Sequence, residues 1–343
     1  MTTLRRYLFY RLKNSVLRIM IFSILSILLS RIVLREGITA EKISNRASGL
    51  YIFAIILGII ASLIPFFELS GFKNRRNLDT LFFFPIKREK MGLAVYISGL
   101  LQMTIIYTVT YVAGFIFLVS KTYCFALIYM LPYFFLSLLL GAVIYSVFMF
   151  LFSEANTVTD GVLFCLLWIF LLYMVSNTAI WEFADSELRH TEAFQAASEL
   201  SGWGIIYAPI NNLTVLFQEL IEIHRSSRWD NSAVKEYLYM FFVWGVIGIA
   251  AAVGYVYRFA KKGAEKAGEI SESWFGYRIL IPIYGYCLIF STTESLSVFS
   301  VLSWLIFALM IIGYVVYRRS FRLKKSDICC IVAGVIPFIL ALR

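Results

Sequence analysis

Apolar residues fill nine runs along the chain, at about 16–34, 48–67, 92–119, 124–152, 162–175, 237–257, 279–290, 298–316 and 328–342, each fenced by polar or basic residues. The hydrocarbon core of a bilayer takes about 20 helical residues. Inside it every backbone N–H and C=O must be bonded within the protein, which an α-helix achieves alone. The pattern predicts an all-α, polytopic helical membrane protein, with six spans followed by about three weaker ones. Of the weaker ones, 279–290 is short and contains Pro282, so a tilted or partly re-entrant segment is the alternative to a full crossing. Ahead of the first run, Leu4, Leu8 and Leu12 share a face while Arg5, Arg6 and Lys13 lie elsewhere. That spacing predicts an amphipathic interfacial helix over 1–14. Arg18 and Arg31 sit close enough to the ends of the first span to be expected to snorkel to the headgroups.

The polar breaks differ in kind. Between the third and fourth runs only Ser120 to Tyr123 intervene, which predicts an antiparallel hairpin. Segment 176–236 is too polar to cross and carries two helical periodicities. One covers 186–200. The other runs from Asn211 to His224 with Leu213, Leu216, Phe217, Leu220 and Ile223 on one face, started by Pro209 and an Asn cap. Segment 258–278 is a basic loop. The remaining break, 68–91, is an elbow in which Lys73, Arg75 and Arg76 precede Asp79, Phe82 to Phe84 follow, and Pro85 leads into Lys87, Arg88 and Lys90. A basic amphipathic elbow either docks a soluble partner or lies on anionic headgroups.

Composition agrees with the pattern: 60% of the residues are hydrophobic and only 15% charged, against about 25% in soluble domains. The net charge of +10 could point to nucleic acid. However, most Lys and Arg cluster in 5–18, 73–90, 258–278 and 318–325, beside apolar runs, so a positive-inside bias explains them and no nucleic-acid partner is expected. The bias puts the N-terminus in the cytoplasm and the acidic 176–236 insertion on the outer face of a cell membrane. It also favours 279–290 as a crossing, since otherwise the 318–325 cluster would lie outside.

Catalytic chemistry finds no purchase. His190 and His224 are the two histidines, and neither belongs to a His-Glu-x-x-His pattern; both are expected at the surface. Cys124, Cys165, Cys287, Cys329 and Cys330 lie in apolar runs without metal-ligand spacing, as small buried hydrophobes. No phosphate-binding loop occurs, so no enzyme activity, metal or cofactor is expected, and nucleotide energy would have to come from another polypeptide. The middles of the spans carry no charge, and Glu68, Glu154, Asp160 and Glu294 are expected as solvated residues at span ends. Pro132, Pro282 and Pro337 interrupt spans without matching positions in two halves, which weakens an ion-coupled secondary carrier.

Three features together resemble the membrane-spanning subunits of ABC-2 type transporters, in the branch common in Gram-positive anaerobes. The elbow from Phe72 to Leu81, then Phe84 to Lys90, is similar to a recurrent basic-Asn-aliphatic-Asp run before a Leu-Pro-Ile-Ser-Arg-like turn, from which Phe84 and Lys87 depart. The stretch from Tyr257 to Glu269 resembles a second recurrent element. The third feature is the order of parts: interfacial helix, six spans within 15–257, and a polar insertion before the sixth. The resemblance covers residues 1–278 and implies a six-span ABC-2 type core plus a C-terminal extension at 279–343. It implies that the elbow contacts a separate ATPase, which alone binds ATP, through Arg75, Arg76, Asn77, Leu78, Asp79, Leu81 and Phe82. It further implies a second permease copy or paralogue, and short outer helices dipping back around Pro209, Asn211 and Asn212. The expected function is ATP-driven export of an amphipathic or lipid-like substrate. An ion-coupled carrier and a non-transporting membrane anchor or sensor are the alternatives.

Overall fold

A computed structural model describes residues 3–39, 48–74, 86–120, 127–183, 209–210, 212–217, 220, 231–262, 267–269, 271, 273–295, 301–318 and 325–333. The elbow residues Arg75 to Phe82, together with Asn211, segment 186–200, both histidines, Cys124, Pro337 and the Glu294 side chain, lie outside the described residues. Every regular element among the described residues is helical: α1 (Thr3–Thr39), α2 (Ser48–Ser70), a 3-10 turn (Gly71–Lys73), α3 (Arg88–Ser120), α4 (Leu127–Glu154), α5 (Val158–Phe183), α6 (Asn231–Lys261), α7 (Tyr277–Ser295), α8 (Val301–Arg318) and α9 (Lys325–Ala333).

Five of these helices, α1, α2, α3, α4 and α6, are long and apolar enough to cross a membrane; α5, α7 and α8 hold shorter apolar stretches. The fold is thus all-helical and compatible with a polytopic membrane protein. Large aliphatic and aromatic side chains stand exposed along α1 and α6, among them Leu17, Ile24, Phe242 and Ile249. Water would penalise such faces at about 25 cal/mol per Å², whereas lipid would not.

Several boundaries differ from the sequence expectation. Residues 3–39 form one helix, so no break separates an interfacial piece from a first span. α5 continues through Ser176 to Phe183, because the polar residues there do not oppose helix formation even where they would oppose crossing. Pro132 and Pro282 sit inside continuous helices, as does Pro65 in α2. α7 therefore spans 19 residues, but its apolar part covers only Tyr277–Ile289, short of the roughly 20 residues a bilayer core takes.

Two compact units divide the chain: Met1–Ser153 with Tyr207–Gly268, and Glu154–Ile206 with Glu269–Arg343. In the first, α3 is the central helix, packed on α1, α2 and α6. Hydroxyl bonds tie it to α4: Tyr107 to Ser137 at 2.8 Å, and Tyr96 to Ser146 at 2.6 Å. Close approach of α4 to α2 depends on Gly141, where an added Cβ would lie 2.8 Å from Leu57 Cδ1; small residues at such crossings let helices meet without a hydrophobic force between them. In the second unit α7 packs on α5, α8 and α9, around Phe164, Leu171 and Leu280 on one side and Met310 and Tyr314 on the other.

Candidate functional site

The first unit buries a carboxylate. Glu68, in the last turn of α2, is 2% exposed, and each of its oxygens takes a different arginine of α1. Arg11 Nη2 donates to Oε2 at 2.8 Å and to the Glu68 carbonyl at 3.1 Å, while Arg18 Nη2 donates to Oε1. Seven residues, two helical turns, separate the arginines, so they lie on one stripe of α1 and straddle the carboxylate. Ser15 lies between them: its hydroxyl donates to the Arg11 carbonyl at 2.8 Å and accepts from Arg18 Nη2 at 3.0 Å.

Gln102 of α3 closes the cluster. Its Nε2 donates to Glu68 Oε1 at 2.9 Å and to Ser98 at 3.1 Å, and its Oε1 accepts from Arg18 Nη2 at 2.6 Å and from Nε at 3.1 Å. Three helices thus converge on one side chain. Arg11 also faces the rings of Tyr7 and Phe72, and Arg18 that of Phe67. Two buried tyrosines belong to the same unit: Tyr145 bonds the Tyr96 carbonyl at 3.0 Å, and the buried hydroxyl of Tyr255 finds no hydrogen-bond partner among the described residues. Two guanidiniums against one carboxylate leave the cluster at +1.

These positions correct two expectations. Glu68 is not a solvated cap, and Arg18 does not snorkel; charge does lie inside the helical bundle. Sequence reasoning missed Gln102 altogether. The available signal was the register of Arg11, Ser15 and Arg18 on one face of an otherwise apolar helix, with Ser98 and Gln102 one turn apart on another.

The stems of the elbow are anchored. Lys73, where the chain leaves the 3-10 turn, donates to the Phe152 carbonyl at 2.7 Å with its ammonium 4.5 Å from the Phe152 ring centroid. Lys262 donates to the Ser153 carbonyl at 2.8 Å, and Arg88, where α3 begins, donates to the Lys262 carbonyl at 3.1 Å. Two lysines therefore cap the last carbonyls of α4, and an arginine caps the end of α6. Cations at helix C-termini contribute about 0.3–1 kcal/mol each. Lys73→Met and Lys262→Met are each expected to destabilise by about that amount, read by denaturant titration of the purified chain. Of the basic residues expected at the elbow, Lys73 and Arg88 are thus engaged within the unit; Lys87 and Lys90 stand exposed. Arg75, Arg76, Asn77, Leu78, Asp79, Leu81 and Phe82 lie outside the described residues.

At the opposite end of the same unit, Pro209, Ile210 and residues 212–217 are helical. Ile210, Leu213, Thr214, Leu216 and Phe217 are buried, as the apolar spacing predicts for Leu213, Leu216 and Phe217. The Thr214 and Tyr133 hydroxyls lie 3.0 Å apart, and Tyr133 also donates to the Leu50 carbonyl. This segment packs at the starts of α2 and α4. Pro209 is itself helical, so the helix is under way before the Asn pair expected to cap it.

The second unit gathers a smaller polar cluster. Asp160 accepts from Ser271 at 2.7 Å and from Tyr277 at 2.9 Å; Ser271 receives the Asn156 N–H at 2.8 Å, and Ser273 donates to Glu154. Glu154 is buried. Glu154 is not the solvated residue expected, and Asp160 is only half-exposed and hydrogen-bonded, because the polar segment 154–160 meets a second polar stretch more than 100 residues away. Of the cysteines, Cys165 is buried but Cys329 is exposed, against expectation. Among the described residues no three His, Cys, Asp or Glu side chains group to hold a metal.

No family model, curated protein or solved structure matches this chain.

Proposed function

We propose that the chain is the membrane-spanning subunit of an ATP-driven ABC-2 type transporter, energised by a separate ATPase and exporting an amphipathic or lipid-like substrate alongside a second membrane subunit. The observation that carries this reading is the anchoring of the elbow. Lys73, which precedes segment 75–85, is bound to the end of α4, and Arg88, which follows it, is bound to the end of α6. Five residues before Lys73, Glu68 grips α1 and α3. A partner that displaces the elbow therefore pulls on five helices through short polar links. The sequence contains no phosphate-binding loop of its own, and ATP binding is accordingly proposed for the partner.

The double variant Arg76→Glu with Asp79→Arg is expected to abolish co-purification of a P-loop ATPase with the tagged chain while membrane insertion persists. Unchanged co-purification would remove the elbow from the interface. A buried carboxylate among helices is the one observation that favours an ion-coupled carrier. The field of Arg11 and Arg18 on Glu68 opposes a bound cation, however, and the cluster is already positive. Transport that survives ATP depletion and collapses with the ion gradient would reverse that preference.

A further inference from the structure

We infer that the Arg11–Glu68–Arg18–Gln102 cluster is a charge-controlled clasp that sets the position of α1, and that α1 is the helix released when the end of α2 moves. The first half of this inference stands on the first unit alone; the second rests on the proposed role of the elbow.

α1 packs along α3 and on α2, but its polar links are what fix its position. Most of its apolar surface faces outward, whereas α2 is mainly buried. Its inward face carries Ser15, Ser23, Ser26 and Ser30 rather than large interlocking side chains. Beyond the clasp, the links from α1 to α3 among the described residues include the 2.6 Å contact between the Ser26 and Thr110 hydroxyls and the Arg31 guanidinium facing the Phe117 ring. Phe22 lies edge-on to Phe67 of α2. Lipid is as apolar as the helix surfaces, so their association rests on packing and polar links rather than on water exclusion. The serines let α1 approach α3 closely, so packing holds the two helices together while the charged links set their register.

The clasp also specifies register. One carboxylate receives one guanidinium from each of two positions two turns apart, so sliding α1 by a single turn leaves at least one arginine unpaired inside the bundle. Removing the carboxylate has the same effect without any sliding. Two uncompensated guanidiniums then gain by moving toward headgroups or water, and they carry α1 with them. The excess positive charge supplies the direction of this motion. Glu68 lies in the last turn of α2, immediately before the 3-10 turn and the elbow, so displacement of the elbow acts on the carboxylate that keeps the arginines in place.

The test uses the full-length chain in membranes with its native cysteines replaced by alanine and the pair Ser26→Cys and Thr110→Cys introduced. Disulfide formation, driven by added copper phenanthroline with oxygen as the electron acceptor, is followed by loss of PEG-maleimide labelling. Glu68→Gln is expected to slow cross-linking at least tenfold. The variant Arg11→Met, Arg18→Met, Glu68→Leu, Gln102→Leu, which removes every charge, is expected to cross-link within about twofold of the parent, because nothing then drives α1 out. That contrast separates a charge-controlled clasp from ordinary packing, under which both variants would loosen alike. Parental rates in Glu68→Gln, or slow cross-linking in the apolar variant, would overturn the clasp. The link to the elbow is read separately. Adding ATP to the parent with its co-purified ATPase is expected to change the cross-linking rate, and an unchanged rate would overturn the release of α1. Failure of any ATPase to co-purify would overturn both that release and the proposed function, leaving the clasp to stand or fall on the first two variants.

Discussion

Glu68→Gln is expected to destabilise the first unit by about 3–5 kcal/mol, the cost of leaving one side of a buried ion pair without its partner. The amide can still accept a hydrogen bond, but it cannot balance Arg11 and Arg18, whose guanidiniums lie against its two oxygens. Replacing all four polar members by Met and Leu is expected to return most of that loss, since buried ionic clusters are often matched or exceeded by apolar groups of similar volume. Denaturant titration of the purified variants measures both. An effect below about 1 kcal/mol for Glu68→Gln would mean that the arginines are solvated. Where Glu68→Gln falls short of the full cost, the cross-linking experiment shows whether the arginines escaped with α1.

Gly99→Ala is expected to cost about 1–3 kcal/mol, although alanine is the better helix former by nearly 1 kcal/mol. Its Cβ would lie 2.2 Å from the Tyr145 hydroxyl and 3.1 Å from Glu68 Cγ. Tyr145 is fully enclosed and bonded to the Tyr96 carbonyl, so it cannot swing aside. Tyr145→Phe alone is expected to lose about 1 kcal/mol for its hydrogen bond. The double variant is expected to cost less than the sum, because removing the hydroxyl removes the worst collision. Simple additivity would show that the backbone, not Tyr145, yields to the new methyl group.

Much of the architecture was legible along the chain. Runs of apolar residues become helices whatever their neighbours, because each helix satisfies its own backbone and lipid covers its outer face. The apolar spacing of Leu213, Leu216 and Phe217 marked the face that is buried, since one stripe of a short polar helix can pack only one way. The charged residues were misjudged for a different reason. Glu68, Arg18, Glu154 and Asp160 each stand near the end of an apolar run, where water is the default neighbour. What they meet instead comes from elsewhere: Arg18 meets Gln102, 84 residues on, and Asp160 meets Ser271, 111 residues on. No local pattern contains that information.

The Gly99 site shows the same division. A lone glycine in a long apolar helix reads as a tolerated weakness, and only the crossing of α3 by the Tyr145 ring shows why no side chain fits. The existence of the helices, their apolar faces and the want of a nucleotide-binding loop were therefore determined by the sequence itself, through short-range hydrogen bonding and transfer free energies that depend on residue type alone. Which helix lies opposite which was decided by the tertiary structure. With it came the gathering of two arginines and a glutamate expected at the membrane surface, and of a glutamine given no role at all, into a buried clasp, because electrostatic pairing depends on distances between residues far apart in the chain.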